Sequence, residues 1–152
     1  MKKYNPTFVT FSEIQQRESE AMCLSDNFDN YNSVASTPDM RIEDIEKRLN
    51  YIPKQGVGVM YKREWGEKVQ KVFVKHRSVM TLFKVKDFYF LYIGAYLPTN
   101  SSDNGTFNNA LIEISQEIKR LKTKHKEKFA FCVGGDLNID KKHGPERISI
   151  FR

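Results

Sequence analysis

Phe129-Ala-Phe-Cys-Val-Gly-Gly-Asp-Leu-Asn138 is the stretch on which the fold turns. Its first half is a short apolar run of buried-strand type, closed by Gly134 and Gly135. An acid and an amide, Asp136 and Asn138, then stand two residues apart. On extended backbone, side chains at that spacing point to one side, so the pair is expected to face one pocket. The two glycines leave room for backbone or ligand to approach. A carboxylate beside a neutral amide suits a hard cation and a phosphate oxygen. The same residue types also build ordinary turns, so the pentapeptide alone leaves both readings open.

Immediately upstream, the spacing predicts a helix over 106–124. Phe107, Leu111, Ile114, Ile118 and Leu121 recur at helical intervals and form a core-facing stripe. A helix that leads into a buried strand is the crossover of a parallel strand pair. Further upstream the pattern is different. Strands are expected at Phe8–Phe11, Gly56–Tyr61, Val69–Lys75, Ser78–Val85 and Phe88–Tyr96, with Lys86-Asp87 as a tight hairpin. A helical composition begins at Glu13 and runs to Leu24. Thr37-Pro38-Asp39 is a second helix start, and 26–36 and 98–105 read as loops. Middle strands linked by hairpins exclude a doubly wound sheet. The expected class is therefore α/β: a layered, mixed β-sheet sandwich with flanking helices, in a single domain over 1–152.

Composition bounds the rest. The chain has 152 residues, 39% apolar and 29% charged, an ordinary globular balance. Its longest apolar run, Phe88 to Leu97, has 10 residues, against the roughly 20 of a membrane span. The first residues carry no apolar stretch of signal-peptide type, so an intracellular setting, nuclear or cytoplasmic, is expected, with no membrane partner. Cys23 and Cys132 match no metal spacing and read as free thiols. The formal charge is +6 and unevenly spread. Residues 10–46 hold nine acids and two bases, 62–86 eight bases and two acids, and 119–128 six bases and one acid. Such segregation suits a polyanionic partner, and equally a solvated lysine-rich surface.

Four segments, in order, resemble the endonuclease/exonuclease/phosphatase superfamily of metal-dependent phosphodiesterases. The resemblance is nearest to abasic-site DNA endonucleases and the endonuclease domains of non-LTR retrotransposons. Phe8-Val-Thr-Phe-Ser-Glu13 is similar to the strand ending in that family's metal-binding glutamate. Gly56-Val-Gly-Val-Met-Tyr61 resembles its glycine-containing central strand. Gly94-Ala-Tyr96-Leu-Pro98-Thr-Asn100 resembles its tyrosine-x-proline motif, and Gly135-Asp136-Leu-Asn138 its Gly-Asp-x-Asn motif. The match spans about residues 6–140.

The resemblance implies a set of roles. Glu13 would hold Mg²⁺ (or Mn²⁺). Asp136 would orient or deprotonate the attacking water. Asn138 would bond a phosphate oxygen, Tyr96 would contact the phosphate, and Asn100 would help bind substrate. The implied activity is DNA-endonuclease-type phosphodiester hydrolysis, with nucleic acid, DNA first, as partner. A non-catalytic nucleic-acid-binding remnant and a phosphatase of the same fold are the alternatives.

Two family features have no counterpart: an asparagine-bearing first strand and a C-terminal Ser-Asp-His motif. Ile14 also stands where the family usually has threonine. His76, His125 and His143 all read as surface histidines. The expectation is thus a partial domain with an incomplete catalytic set, and impaired or absent hydrolysis. It would be a fragment, an incomplete gene product or a decayed mobile-element copy.

Overall fold

Two strands, Ser78–Val85 and Phe88–Tyr96, are apolar on both faces, which a strand tolerates only when both faces are covered. A computed structural model of the chain describes residues 4–14, 28–36, 56–75, 77–98 and 104–138. Within them these two strands form the middle of a three-layer arrangement. The elements are β1 (Phe8–Ile14), β2 (Tyr31–Ser36), β3 (Gly56–Lys62), β4 (Val69–Lys75), β5 (Ser78–Val85), β6 (Phe88–Tyr96), α1 (Asn104–His125) and β7 (Phe129–Asp136). Short 3₁₀ turns, Arg63–Lys68 and Lys126–Lys128, precede β4 and β7.

One sheet has the order β1-β3-β2 and is antiparallel. The other has the order β4-β5-β6-β7. Its first three strands are antiparallel, and β7 runs parallel to β6 after the α1 crossover, which makes this sheet mixed. The two-residue link Lys86-Asp87 joins β5 to β6 with Val85 opposite Phe88.

Between the sheets lie Val57, Val59, Tyr61, Val79, Phe83 and Tyr92. The Phe8 ring wedges among Trp65, Phe83, Phe90 and Tyr92, with centroids 4.8 to 5.5 Å away. On the far side of the second sheet, Phe107, Leu111, Ile114, Ile118 and Leu121 of α1 cover Met80, Leu82, Leu91, Ile93 and Leu97. Each such side chain contributes about 1.5–3 kcal/mol on burial, so the helical stripe is a core face.

Three expectations need correction. Residues 31–36 form β2 rather than loop. The Asp/Asn weight falls on the turn before Tyr31, and pairing with β3 overrides weak strand propensity at Asn32 and Ser33. Tyr31 and Ser36 are buried; Ser36 Oγ donates to the Lys75 carbonyl, tying β2 to β4. Secondly, Glu13 and Ile14 belong to β1, not to a helix start. The β1–β3 register slips between Ser12 and Ile14, and Glu13 takes φ 55° at the slip. Thirdly, Asn104 and Gly105 lie inside α1 rather than in the preceding loop. The expected helix at Thr37, Asn100, His76 and His143 fall outside the described residues.

Candidate active site

The site is built where β1 crosses β6 and β7. Gly94 and Gly134 are register partners on neighbouring strands, and Thr10 sits over them. A Cβ at Gly94 would stand 2.5 Å from Val59 Cγ1 and 3.2 Å from Thr10 Cγ2; one at Gly134 would stand 2.8 Å from Thr10 Oγ1. Glycine at both positions lets the first sheet approach the second this closely. Thr10 Oγ1 and the Tyr92 hydroxyl share a 2.8 Å hydrogen bond across the gap.

From that seat three chain ends rise together. Tyr96 and Asp136 lie two residues beyond Gly94 and Gly134 and pair directly in the parallel register. Parallel neighbours stand roughly 4.8 Å apart, with side chains on the same face. Glu13, three residues beyond Thr10, arrives from the other sheet. The Tyr96 hydroxyl donates to Glu13 Oε1 at 2.9 Å. Burial first, then the hydrogen bond to Glu13 and the charges of Glu13 and Asp136, push the Tyr96 phenol above its ordinary range. An acid from the start of the described chain and one from its end therefore act on one phenol. Glu13 and Asp136 are both exposed, so the group opens to solvent at the sandwich rim.

Asn138 joins the rim by another route than the one expected. β7 ends at Asp136, and Asn138 takes φ 47°, so no strand alternation aligns the pair. Instead the Asn138 backbone N–H donates to Asp136 Oδ1 at 3.0 Å, a turn of the kind Asp favours. Its side-chain amide donates to the Leu97 carbonyl at 2.6 Å, and Leu97 N–H donates to the Asp136 carbonyl at 2.9 Å. The pentapeptide thus forms the turn that its residue types favour, and the same turn sets Asn138 beside Asp136. Gly135 serves backbone packing: at φ +120°, a Cβ would lie 2.0 Å from the Ala95 carbonyl oxygen.

Arg77 is a member that the sequence reading missed. Its carbonyl accepts the Tyr96 N–H at 3.0 Å, and its guanidinium lies 5.9 Å from the Tyr96 ring centroid. Burial lowers the guanidinium pKa, while the neighbouring Tyr96 raises it. The signal was a register count. Stepping back from the Lys86-Asp87 hairpin puts Ser78 opposite Ala95, hence Arg77 opposite Tyr96.

The donor chemistry fits a hard cation. Glu13 and Asp136 are oxygen donors that flank one phenol, and Mg²⁺ is commonly bound through one or two carboxylates with retained waters. Among the described residues no group of three or more His, Cys, Asp or Glu side chains could by itself hold a metal ion. His125 is remote from the rim: it stacks on Tyr89 at 3.6 Å at the other end of β6 and is half-buried there. Among the described residues no helix is long and apolar enough to cross a membrane. Cys132 is a free, exposed thiol.

By sequence, the chain matches no protein-family model and no curated protein. By structure it matches several solved proteins. Truncated Caenorhabditis elegans TDP2 superposes with a TM-score of 0.66 at 11% identity, over 93% of this chain and 53% of that one. The human Nocturnin catalytic domain gives 0.64 at 11%, over 95% and 55%. ANGEL2, a 2′,3′-cyclic phosphatase, gives 0.63 at 14%, over 92% and 41%. These neighbours are of the endonuclease/exonuclease/phosphatase superfamily, and the chain has that α/β sandwich fold in part. It spans about half the length of the structures it matches.

Proposed function

We propose that the rim of Glu13, Tyr96 and Asp136 is the phosphate-handling part of a divalent-cation-dependent phosphodiester hydrolase whose substrate is nucleic acid, DNA first. The observation that carries the reading is the Tyr96–Glu13 hydrogen bond beside a register-paired Asp136. It joins three of the four motif segments at one solvent-open point. The likeness to structures of hydrolytic type, ANGEL2 among them, supports the same class.

Each residue then has a task. Glu13 and Asp136 would hold Mg²⁺ or Mn²⁺, and the cation, when bound, neutralises charge on the phosphate. Asp136 takes a proton from the attacking water at its carboxylate, oriented by the Asn138 backbone N–H on Oδ1. Tyr96 is a neutral phenol at pH 7 at its ordinary pKa, and the rim pushes that pKa higher still; its one O–H, given to Glu13 Oε1 here, would turn to a phosphate oxygen when substrate binds. Asn138 holds the turn after β7 and offers its amide to the same phosphate. Asn100, outside the described residues, would contact substrate.

Plasmid nicking tests this. Supercoiled DNA with Mg²⁺ is expected to be nicked by the wild-type chain only slowly, as an incomplete catalytic set implies, and not in EDTA, with Asp136→Ala and Glu13→Gln each slower still by at least about 100-fold. Equal nicking by wild type and Asp136→Ala removes the rim from the chemistry. Adenosine 2′,3′-cyclic phosphate belongs in the same assay, since the ANGEL2 likeness favours it as a second substrate.

A further inference from the structure

We propose a second nucleic-acid contact, a lysine pole at the end of the second sheet opposite the rim, which docks the sugar–phosphate backbone without taking part in hydrolysis. Two segments meet there: the β5–β6 hairpin, 84–87, and the end of α1 with the turn that follows, 119–128. Lys128 Nζ lies 3.5 Å from Asp87, Lys84 Nζ lies 5.8 Å from the Tyr89 ring centroid, and Tyr89 stacks on His125 at 3.6 Å. The two segments therefore form one surface. Together they hold eight bases and two acids, a net +6, the same as the 25 bases and 19 acids of the whole chain give. The rest of the chain sums to zero, although 62–77 holds six bases and two acids of its own. Lys84, Lys86, Lys122, Lys124, Lys126 and Lys128 are all exposed.

Helix electrostatics explains only part of this. Cations in the last turn of α1 complement its dipole. That argument does not reach Lys84 and Lys86, which stand on a hairpin of the sheet. Arg120 is already paired with Glu117, so lysines carry the surface. Burial and the charges of Lys124 and Arg120 depress the His125 pKa, so at neutral pH its ring stacks without adding charge.

The partner is a polyanion rather than an anionic bilayer. Phe88, 41% exposed, is the large apolar side chain the hairpin presents, and the Tyr89 ring is covered by His125 and Lys84. Interfacial insertion needs a broader apolar face. A nucleic-acid backbone needs the lysines and no such apolar face. β6 spans nine residues between the pole and Tyr96. At about 3.3 Å per residue the two contacts are roughly 26 Å apart, so each is separately testable.

The test is fluorescence anisotropy of a labelled 16-base-pair duplex with the full chain in EDTA, across an NaCl series. The triple variant Lys84→Glu, Lys86→Glu, Lys124→Glu is expected to lose at least about tenfold in affinity at low salt. Its log–log salt slope is expected to fall by about 2–3. An equal charge change elsewhere, Lys62→Glu, Lys71→Glu, Lys75→Glu, is expected to lose less than threefold. Lys→Gln at the same three pole positions, expected to lose at least threefold, stands in if the reversed triple is misfolded by circular dichroism. Equal losses in the two triples reduce the pole to general charge and overturn the proposal. So does absence of duplex binding by the wild type, or tighter binding to phosphatidylserine vesicles. Binding that persists where nicking fails leaves the pole standing and removes the hydrolytic reading alone.

Discussion

Tyr96 is where the chemistry of the rim can be read without any substrate. Its phenol is held up by burial, by the bond to Glu13 Oε1 and by the charges of Glu13 and Asp136, while Arg77 pulls it down. Single changes should therefore move it in opposite directions. Glu13→Gln keeps an acceptor oxygen but removes a negative charge, and the Tyr96 pKa is expected to fall. Arg77→Met keeps bulk on the ring but removes the cation, and the pKa is expected to rise. Phenolate absorbance, subtracting a partner variant carrying Tyr96→Phe, isolates this tyrosine from the other six. A Tyr96 pKa indifferent to Glu13→Gln would mean that the 2.9 Å bond does not exist in solution. Stability follows the same sign. A folded-state pKa above the free value of 10.0 gives stability that is full below about pH 10 and is lost as pH rises through the folded value.

At the scale of elements, the two ends of β6 have opposite electrostatic characters. At its start, His125 of α1 stacks on Tyr89, with its pKa lowered by burial and by Lys124 and Arg120. A depressed folded-state pKa gives stability that is present above the free value of 6.5 and is lost as pH falls through the folded value. His125→Phe keeps a ring on Tyr89 and removes the titration. Urea midpoints of that variant are expected to change less between pH 7 and pH 5 than those of the wild type; parallel profiles would mean that His125 titrates as freely in the fold as out of it. The elements also differ in how far the sequence announces them. β4 to β7 and α1 were readable because their periodicities are clean and Lys86-Asp87 punctuates them. β2 was not, because only pairing with β3 makes a strand of Tyr31-Asn-Ser-Val-Ala-Ser36. Glu13, Tyr96 and Asp136, which the structure brings together, stand in linear motifs. Arg77 stands alone in a basic stretch and acquires its meaning from the register opposite Tyr96. Asn138 was found for a reason that fails, since a left-handed turn rather than strand alternation brings it to Asp136.

For the whole molecule, the spacing of the two sheets sets the rim. Glu13 rides on one sheet and Tyr96 and Asp136 on the other, so their meeting depends on how closely β1 and β3 settle onto β6 and β7. Gly94 is the contact where that closeness is tightest, with Val59 Cγ1 2.5 Å from where a Cβ would be. Val59 is fully buried and short, so it cannot swing away cheaply. Gly94→Ala is therefore expected to push the sheets apart, at about 1–3 kcal/mol of stability. Because the rim spans the gap, the same change should loosen the bond from Tyr96 to Glu13 and lower the Tyr96 pKa toward 10.0, although neither residue is touched. The double variant Gly94→Ala, Val59→Ala clears the colliding methyl. It should bring the pKa back up even while stability falls further, since Val59→Ala leaves a cavity of its own. Recovery of the phenol titration with no recovery of stability separates sheet spacing from general destabilisation. A pKa that stays low in the double variant, or never moves in the single one, would show that the rim is held by its own hydrogen bonds rather than by the packing of the layers beneath it.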